Sequence, residues 1–188
     1  CLPLESHSLG ELHEAVSDVN SNFGFVGALG RPENNDAALW LLSDIWPSVV
    51  EQRPECRLYI IGSQPSAELL EAARVFGDSV VVTGYVDDID SFYDFFGTAV
   101  IPLRFGAGIK LKTVSAVLAG KNIVATPIAV EGTLSDDCFY SVSESPDVLA
   151  KAMVELATSP GLGHDITIKA REQAGSRYSL DAYARSVS

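Results

Sequence analysis

Several residue types are scarce in this 188-residue sequence, and each shortage excludes a class of protein. Thirteen lysines and arginines stand against 25 aspartates and glutamates, so the net charge of −12 disfavours nucleic acid or an anionic membrane as the main partner. The three cysteines lie far apart without CxxC spacing, which excludes a zinc ribbon or a disulfide framework. No run approaches the roughly 18 apolar residues of a membrane span, and the first ten residues, which have no charged n-region or apolar h-region, do not predict a signal peptide.

Short apolar runs alternate with amphipathic stretches along the chain. The runs predict six strands, at residues 23–27, 57–62, 79–83, 98–103, 122–126 and 138–142. The stretches predict helices at residues 36–51, 66–76, 88–96, 109–119, 146–158, 167–176 and 180–187. Strands that are apolar on both faces and alternate with helices indicate an α/β fold, with a doubly wound, mostly parallel six-stranded sheet and helices on both faces.

Three segments of the chain have different expected roles. Because the first residue is Cys1 instead of Met, we expect a fragment of a longer protein, with residues 1–22 as a connector from a missing N-terminal domain. Residues 23–158 are expected to form the Rossmann-like domain. Residues 159–188 begin with a Ser-Pro-Gly hinge and are expected to continue as helices that return toward the missing domain.

The distribution of charge points to a site for phosphate. Residues 95–130 contain no acidic residue and carry a charge of +4, whereas the other 152 residues carry −16. This stretch includes a glycine-containing turn, residues 104–110, between the fourth strand and the next helix. Such a turn presents backbone N–H groups and the positive end of the helix dipole, and Lys110 adds a full charge. An ordinary turn with solvated lysines explains the same residues equally well.

Three other motifs favour structural explanations. The set Gly24-x-x-Gly27-x-x-Gly30 is not GxGxxG, so a dinucleotide cofactor is not expected. Residues 31–36 predict a turn and an N-cap for the first helix, which is favoured over ligand contact by Asn34. The pair Asp87-Asp88 predicts a cap for the next helix, which is favoured over the acidic pocket of a phospho-receiver domain.

The sequence contains no recognisable catalytic or metal-binding set. The three histidines, His7, His13 and His164, lie in peripheral segments, and no Ser/His/Asp combination is visible. No metal ligand and no catalytic residue is therefore assigned.

Five stretches in order carry a resemblance to a known family: FVGALGRPENNDAALWLL, RLYIIG, VVVTGYVDDIDSFY, VIPLRFGAGIKLKTVSAVLAGKNIVAT and AVEG. Together they resemble the C-terminal, nucleotide-sugar-binding half of retaining GT-B glycosyltransferases of family four, glycosyl transferases group 1. The stretch YSLDAYARSV resembles that family's final helix. The resemblance is carried mainly by residues 23–134 and, with the final helix, covers most of the chain.

The resemblance implies a metal-independent, cytoplasmic hexosyltransferase without a cofactor, active in polysaccharide or glycoconjugate biosynthesis. Its substrate would be a nucleoside diphosphate sugar. The missing N-terminal domain would hold most of the acceptor and would make any attachment to the inner membrane. The fragment alone is expected to be inactive. The implied donor-binding positions are Gly27, Asn34, Gly62, Gly84, Tyr85, Val86, Arg104, Gly106, Ala107, Gly108, Ile109, Lys110, Leu111, Lys112 and Ser115.

The resemblance also implies a role for each part of this set. Residues 106–112 would hold the diphosphate, with Lys110 supplying charge. Gly62 and residues 84–86 would border the base, and Gly27 would line the floor of the interdomain cleft.

The sequence departs from the family pattern at positions that matter for chemistry. Two glutamates with seven residues between them are common in the family, and Ala107 and Ser115 occupy their positions here. Basic residues common after the first strand are replaced by Ala28 and Glu33. These losses keep open a degenerate, non-catalytic domain that binds a nucleotide or a protein partner. An unrelated doubly wound enzyme is the third interpretation.

Overall fold

A six-stranded, entirely parallel sheet forms the centre of this computed structural model, which describes residues 19–108, 110–159 and 161–178. The strands are β1 Asn22–Val26, β2 Arg57–Ile61, β3 Val80–Val82, β4 Thr98–Ile101, β5 Asn122–Ala125 and β6 Ser141–Val142. They are ordered β3-β2-β1-β4-β5-β6 across the sheet. The predicted fold class is therefore confirmed.

Helices cover both faces of this sheet. They are α1 Pro32–Trp40, α2 Trp46–Gln52, α3 Ala67–Arg74, α4 Leu111–Leu118, α5 Pro127–Val130, α6 Pro146–Thr158 and α7 His164–Tyr178. A π-helical turn, Leu41–Ile45, joins α1 to α2, and 3₁₀ turns occur at Val19–Ser21, Gly77–Ser79, Asp90–Phe95 and Asp136–Cys138. Helix α2 packs against α6, and α4 packs against α7. None of the helices in the described ranges is long and apolar enough to cross a membrane.

The central strand β1 shows how the sequence builds the core. Phe23 and Phe25 point to one face because side chains alternate along a strand, and both are fully buried. The ring of Phe23 meets that of Trp46 edge-on, with centroids 6.0 Å apart. On the opposite face, Gly24 leaves room for the ring of Phe96, which would lie 2.2 Å from a Cβ at that position. The NFGFV sequence therefore fixes β1 between two aromatic layers.

Three predicted elements differ from the structure. The first helix begins at Pro32, earlier than expected, because Pro is well suited to a first helical position. The helix expected at residues 88–96 is only a 3₁₀ turn, although Asp88 does cap it by accepting bonds from the backbone N–H groups of Asp90 and Ser91. The last predicted strand shrinks to two residues because Cys138 closes a 3₁₀ turn instead.

Element ends also shift by a few residues. Helix α7 runs from His164 to Tyr178, longer than the predicted 167–176, and α4 begins at Leu111 instead of residue 109. Strand β1 begins at Asn22, one residue inside the expected connector. Residues 1–18, which hold Cys1, His7 and His13, lie outside the described residues, as do Ile109 and the predicted last helix at 180–187.

The strand order reverses between β1 and β4, and the carboxyl edge of the sheet at that point is called the crevice here. Strand β1 pairs with β2 on one side and with β4 on the other, because the chain winds outward through β2 and β3 and then returns to β4. In open α/β sheets with this strand order, ligands bind beyond the carboxyl ends at the point where the order reverses. The segments that follow β1 and β4 flank that point here.

Candidate functional site

The loop after β4 closes on itself through Lys110. Its side chain is buried, and Nζ donates a hydrogen bond of 2.9 Å to the carbonyl oxygen of Gly106. Gly106 and Gly108 adopt φ values of 131° and 91°, which favour glycine. Lys110 also occupies the N-cap of α4, so the loop leads directly to a helix N-terminus whose first N–H groups lack intrahelical acceptors.

Lys112, in the first turn of α4, brings its ammonium to the end of β1. Nζ lies 5.1 Å from the ring centroid of Phe25 and donates a hydrogen bond to Oδ1 of Asn34. Burial lowers the pKa of Lys112 to about 8, with Glu33 acting in the opposite direction. Lys112 is therefore a cation held at the reversal point between β1 and β4.

Asn34 connects this cation to the turn after β1. The residue is 4% exposed, and its Nδ2 donates a hydrogen bond of 2.9 Å to the carbonyl oxygen of Ala28. Asn34 lies inside α1, whose N-cap is Arg31 without a side-chain cap bond. The N-cap does fall within residues 31–36 as predicted, but no side chain caps the helix, and the amide of Asn34 lies between Ala28 and Lys112.

Two glycines form the floor of the crevice. Gly27 donates a hydrogen bond of 2.9 Å to the carbonyl oxygen of Ile61, and a Cβ on Gly62 would lie only 1.8 Å from the carbonyl oxygen of Gly27. A Cβ on Gly27 would itself lie 3.2 Å from Nζ of Lys112. The ends of β1 and β2 thus approach as closely as backbone allows, directly beneath the ammonium.

The segment predicted to border a base follows β3, two strands away from the crevice centre. Gly84 has a φ of 73°, and the side chain of Tyr85 is 75% exposed. Val86 packs against the hydrophobic core. The structure therefore presents Tyr85 as an exposed ring at the same edge of the sheet.

The remaining predicted positions have different surroundings. Arg104 forms a two-pronged ion pair with Asp36, with Nε–Oδ2 and Nη2–Oδ1 distances of 2.9 and 2.5 Å, and its guanidinium lies over the ring of Trp40. The hydrogen bond to Asp36 raises the pKa of Arg104, so this cation is already paired. Ala107, Leu111 and Ser115 are exposed.

Sequence reasoning did not assign Glu33 to the site, yet it lies at the rim. Its Cγ would be 3.6 Å from a Cβ on Gly106, and its carboxylate pairs with Arg31 at 3.2 Å. The only local signal was its position beside Asn34. Among the described residues, no group of three His, Cys, Asp or Glu side chains is placed to hold a metal ion.

Comparison with known proteins gives consistent matches. The family model described as glycosyl transferases group 1 matches residues 20–159. An uncharacterized 44.6 kDa protein in the cps region of Klebsiella pneumoniae is 32% identical over 120 residues, which are 61% of this chain and 31% of that protein. The chain therefore spans about a third of that curated relative.

Solved structures share the fold at lower identity. Alr3699/HepE of Anabaena, solved in complex with UDP and glucose, matches 95% of this chain and 50% of its own, with a TM-score of 0.76 and 14% identity. The C-terminal domain of the glycosyl transferase group 1 family protein LpcC from Francisella tularensis matches with a TM-score of 0.71 and 16% identity, and the match covers 95% of each chain.

Proposed function

Since the chain belongs to the glycosyl transferases group 1 family and has the fold of the C-terminal domain of GT-B glycosyltransferases, we propose that it binds the nucleoside diphosphate sugar of a retaining hexosyltransferase. The acceptor is held by an N-terminal domain outside this chain. In this proposal the enzyme works in the cytoplasm, in polysaccharide or glycoconjugate biosynthesis.

One observation carries this proposal: the ammonium of Lys112 and the N-terminus of α4 meet at the reversal point of the sheet. A diphosphate placed there accepts hydrogen bonds from the first N–H groups of α4 and from Lys112. Negative charge grows on the leaving diphosphate as the glycosidic bond breaks, and these fixed donors stabilise it. This arrangement supplies the charge without a metal ion.

Lys112, and not Lys110, provides the cation in this proposal. Nζ of Lys110 donates to the carbonyl oxygen of Gly106 and is buried under its own loop. Lys112 contacts only a neutral amide and an aromatic face within the described part of the chain, so its charge is not cancelled by a direct carboxylate partner. In this proposal, the charged role that the resemblance implies for Lys110 is therefore given to Lys112, two residues further along the chain.

Calorimetric titration of the chain with UDP, GDP and ADP tests the proposal, with UDP first because HepE was solved with it. A charge-assisted hydrogen bond contributes about 1.5–3 kcal/mol, so Lys112→Ala should weaken nucleotide binding about 10- to 150-fold. Lys151→Ala removes the same charge from an exposed position on α6 and should not change the affinity. Equal affinity of Lys112→Ala and the unmodified chain would contradict the proposal.

A second candidate is a non-catalytic domain that binds a nucleotide. It is favoured by the exposed Ala107 and Ser115 at the positions where the family pattern has carboxylates. The discriminating experiment uses the complete two-domain protein, because catalysis requires both halves closed around the donor. Release of UDP from a UDP-sugar above the rate of a Lys112→Ala variant supports the enzyme. Lys112-dependent binding without any release supports the non-catalytic domain.

A further inference from the structure

We propose that Asn34 is a positioning residue that holds the Lys112 ammonium toward the donor diphosphate while leaving its positive charge intact. This inference rests on the proposed function, since it concerns how the same site obtains its charge. It assigns a specific role to an asparagine for which the residues alone favour a helix cap and the resemblance implies donor binding.

The side-chain amide of Asn34 is fixed at both ends. Nδ2 donates to the carbonyl oxygen of Ala28 at 2.9 Å, so the amide plane is oriented by the turn after β1. Because Nδ2 is committed to that carbonyl, Oδ1 must face the other way, where it accepts the hydrogen bond from Lys112. The two residues are 78 positions apart in sequence and join α1 to α4 across the crevice.

An asparagine is the side chain of this size that satisfies both partners. A carboxylate would still accept from Lys112, but its second oxygen would face the Ala28 carbonyl oxygen, and two acceptors repel. It would also cancel the ammonium charge. An aliphatic side chain would remove one of the two donors to the Ala28 carbonyl, which also accepts from the N–H of Arg31, and would leave the half-buried Lys112 ammonium without its hydrogen-bond acceptor, which is costly. The amide therefore anchors the cation and leaves its charge for an anion.

The surroundings of the Lys112 ammonium bring its pKa into a pH range in which UDP binding can be measured. The pKa of Lys112 is lowered to about 8, chiefly by burial; Glu33 acts to raise it, and Arg31 and Lys110 act to lower it. An ammonium that deprotonates near pH 8 should bind an anion less well as the pH rises through that value. The midpoint of the affinity–pH profile consequently reports on the surroundings of Lys112.

Two substitutions should move this midpoint in opposite directions. Asn34→Asp places a carboxylate beside the Lys112 ammonium and so cancels part of its charge. UDP affinity at pH 7 should fall about tenfold or more. The midpoint should move to higher pH, because the carboxylate favours the charged form of Lys112. Asn34→Ala removes a hydrogen bond to the charged form, so the midpoint should move to lower pH. A purely structural role for Asn34 would lower the affinity at every pH and leave the midpoint unchanged.

The experiment is UDP titration of the 188-residue chain between about pH 7 and 10, for the unmodified chain and both variants. Gln52→Glu makes the same amide-to-carboxylate change on an exposed side chain at the end of α2, and it should reproduce the unmodified profile. If Asn34→Asp does not fold, the shift expected for Asn34→Ala still decides. Midpoints that stay unchanged in folded Asn34 variants overturn the inference. If Lys112→Ala leaves the UDP affinity unchanged, the proposed function itself is overturned.

Discussion

The close approach of β1 and β2 at the crevice floor predicts a strong effect of one added methyl group. In Gly62→Ala the new Cβ would lie 1.8 Å from the carbonyl oxygen of Gly27, a backbone atom that no side-chain rotation can move away. Real Cβ contacts are essentially never shorter than 3.0 Å, so the two strand ends must separate by about 1.2 Å. The substitution therefore tests whether this floor exists as described.

The magnitude follows from the contacts that such a shift would disturb. The hydrogen bond from Gly27 N–H to the Ile61 carbonyl, 2.9 Å, and that from Leu29 N–H to the Ser63 carbonyl, 2.9 Å, both cross the same junction. Overpacking costs about 1–3 kcal/mol, and each net hydrogen bond contributes about 1 kcal/mol. The free energy of unfolding should decrease by about 3–5 kcal/mol, a large part of the total for a domain of this size.

Urea unfolding monitored by fluorescence measures this change. With a slope of about 2 kcal/mol per molar urea, the midpoint of Gly62→Ala should fall by about 2 M at an unchanged slope. Gly84→Ala is the matched control, because a Cβ there meets nothing within 4 Å, and only the φ of 73° opposes it, at about 1–2 kcal/mol. If Gly62→Ala loses no more stability than Gly84→Ala, the described approach of β1 to β2 is incorrect.

Two further predictions concern charged side chains. Arg104→Ala removes an exposed ion pair with Asp36, so we expect a stability loss of about 1 kcal/mol or less and an unchanged UDP affinity by calorimetry; a tenfold weaker affinity would instead place Arg104 at the donor. For Lys112, the pKa is about 8 in the folded chain against an ordinary value of 10.5, so the unfolded chain binds more protons between these values and stability should rise with pH through that window. Between pH 8 and 10.5 this rise in the free energy of unfolding should be on the order of 2 kcal/mol, and Lys112→Met should abolish it. Urea unfolding at the two pH values measures the difference, and an identical pH dependence in both proteins would refute the lowered pKa.

Much of the fold could be predicted from the sequence because buried parallel strands leave a local signal. Runs such as residues 57–62 and 98–103 are apolar without a period of two, and each corresponds to a strand of the sheet. The glycine-containing turn after β4 could likewise be predicted, since it follows a strand and precedes a helix. These features depend on neighbours in sequence.

The site geometry could not be predicted, because it depends on residues distant in sequence. Nothing near Asn34 indicates that its partner is Lys112, and nothing near Arg104 indicates that Asp36 occupies its guanidinium. Local patterns also failed where tertiary contacts decide, as at Cys138, whose apolar run suggested a strand. There the thiol lies against Gln173 of α7, and the chain turns before β6.

The position of Lys112 gives a physical explanation for the acidic and apolar residues after β1. The resemblance implies basic side chains at the positions of Ala28 and Glu33, and neither residue is basic here, although Arg31 lies between them. Nζ of Lys112 lies 3.2 Å from the Cβ position of Gly27 and contacts Asn34, so it reaches this same turn from α4. A second cation there would repel Lys112 at short range. The loss of basic side chains at positions 28 and 33 therefore fits an arrangement in which Lys112 reaches this turn from α4 while Arg31 is paired with Glu33.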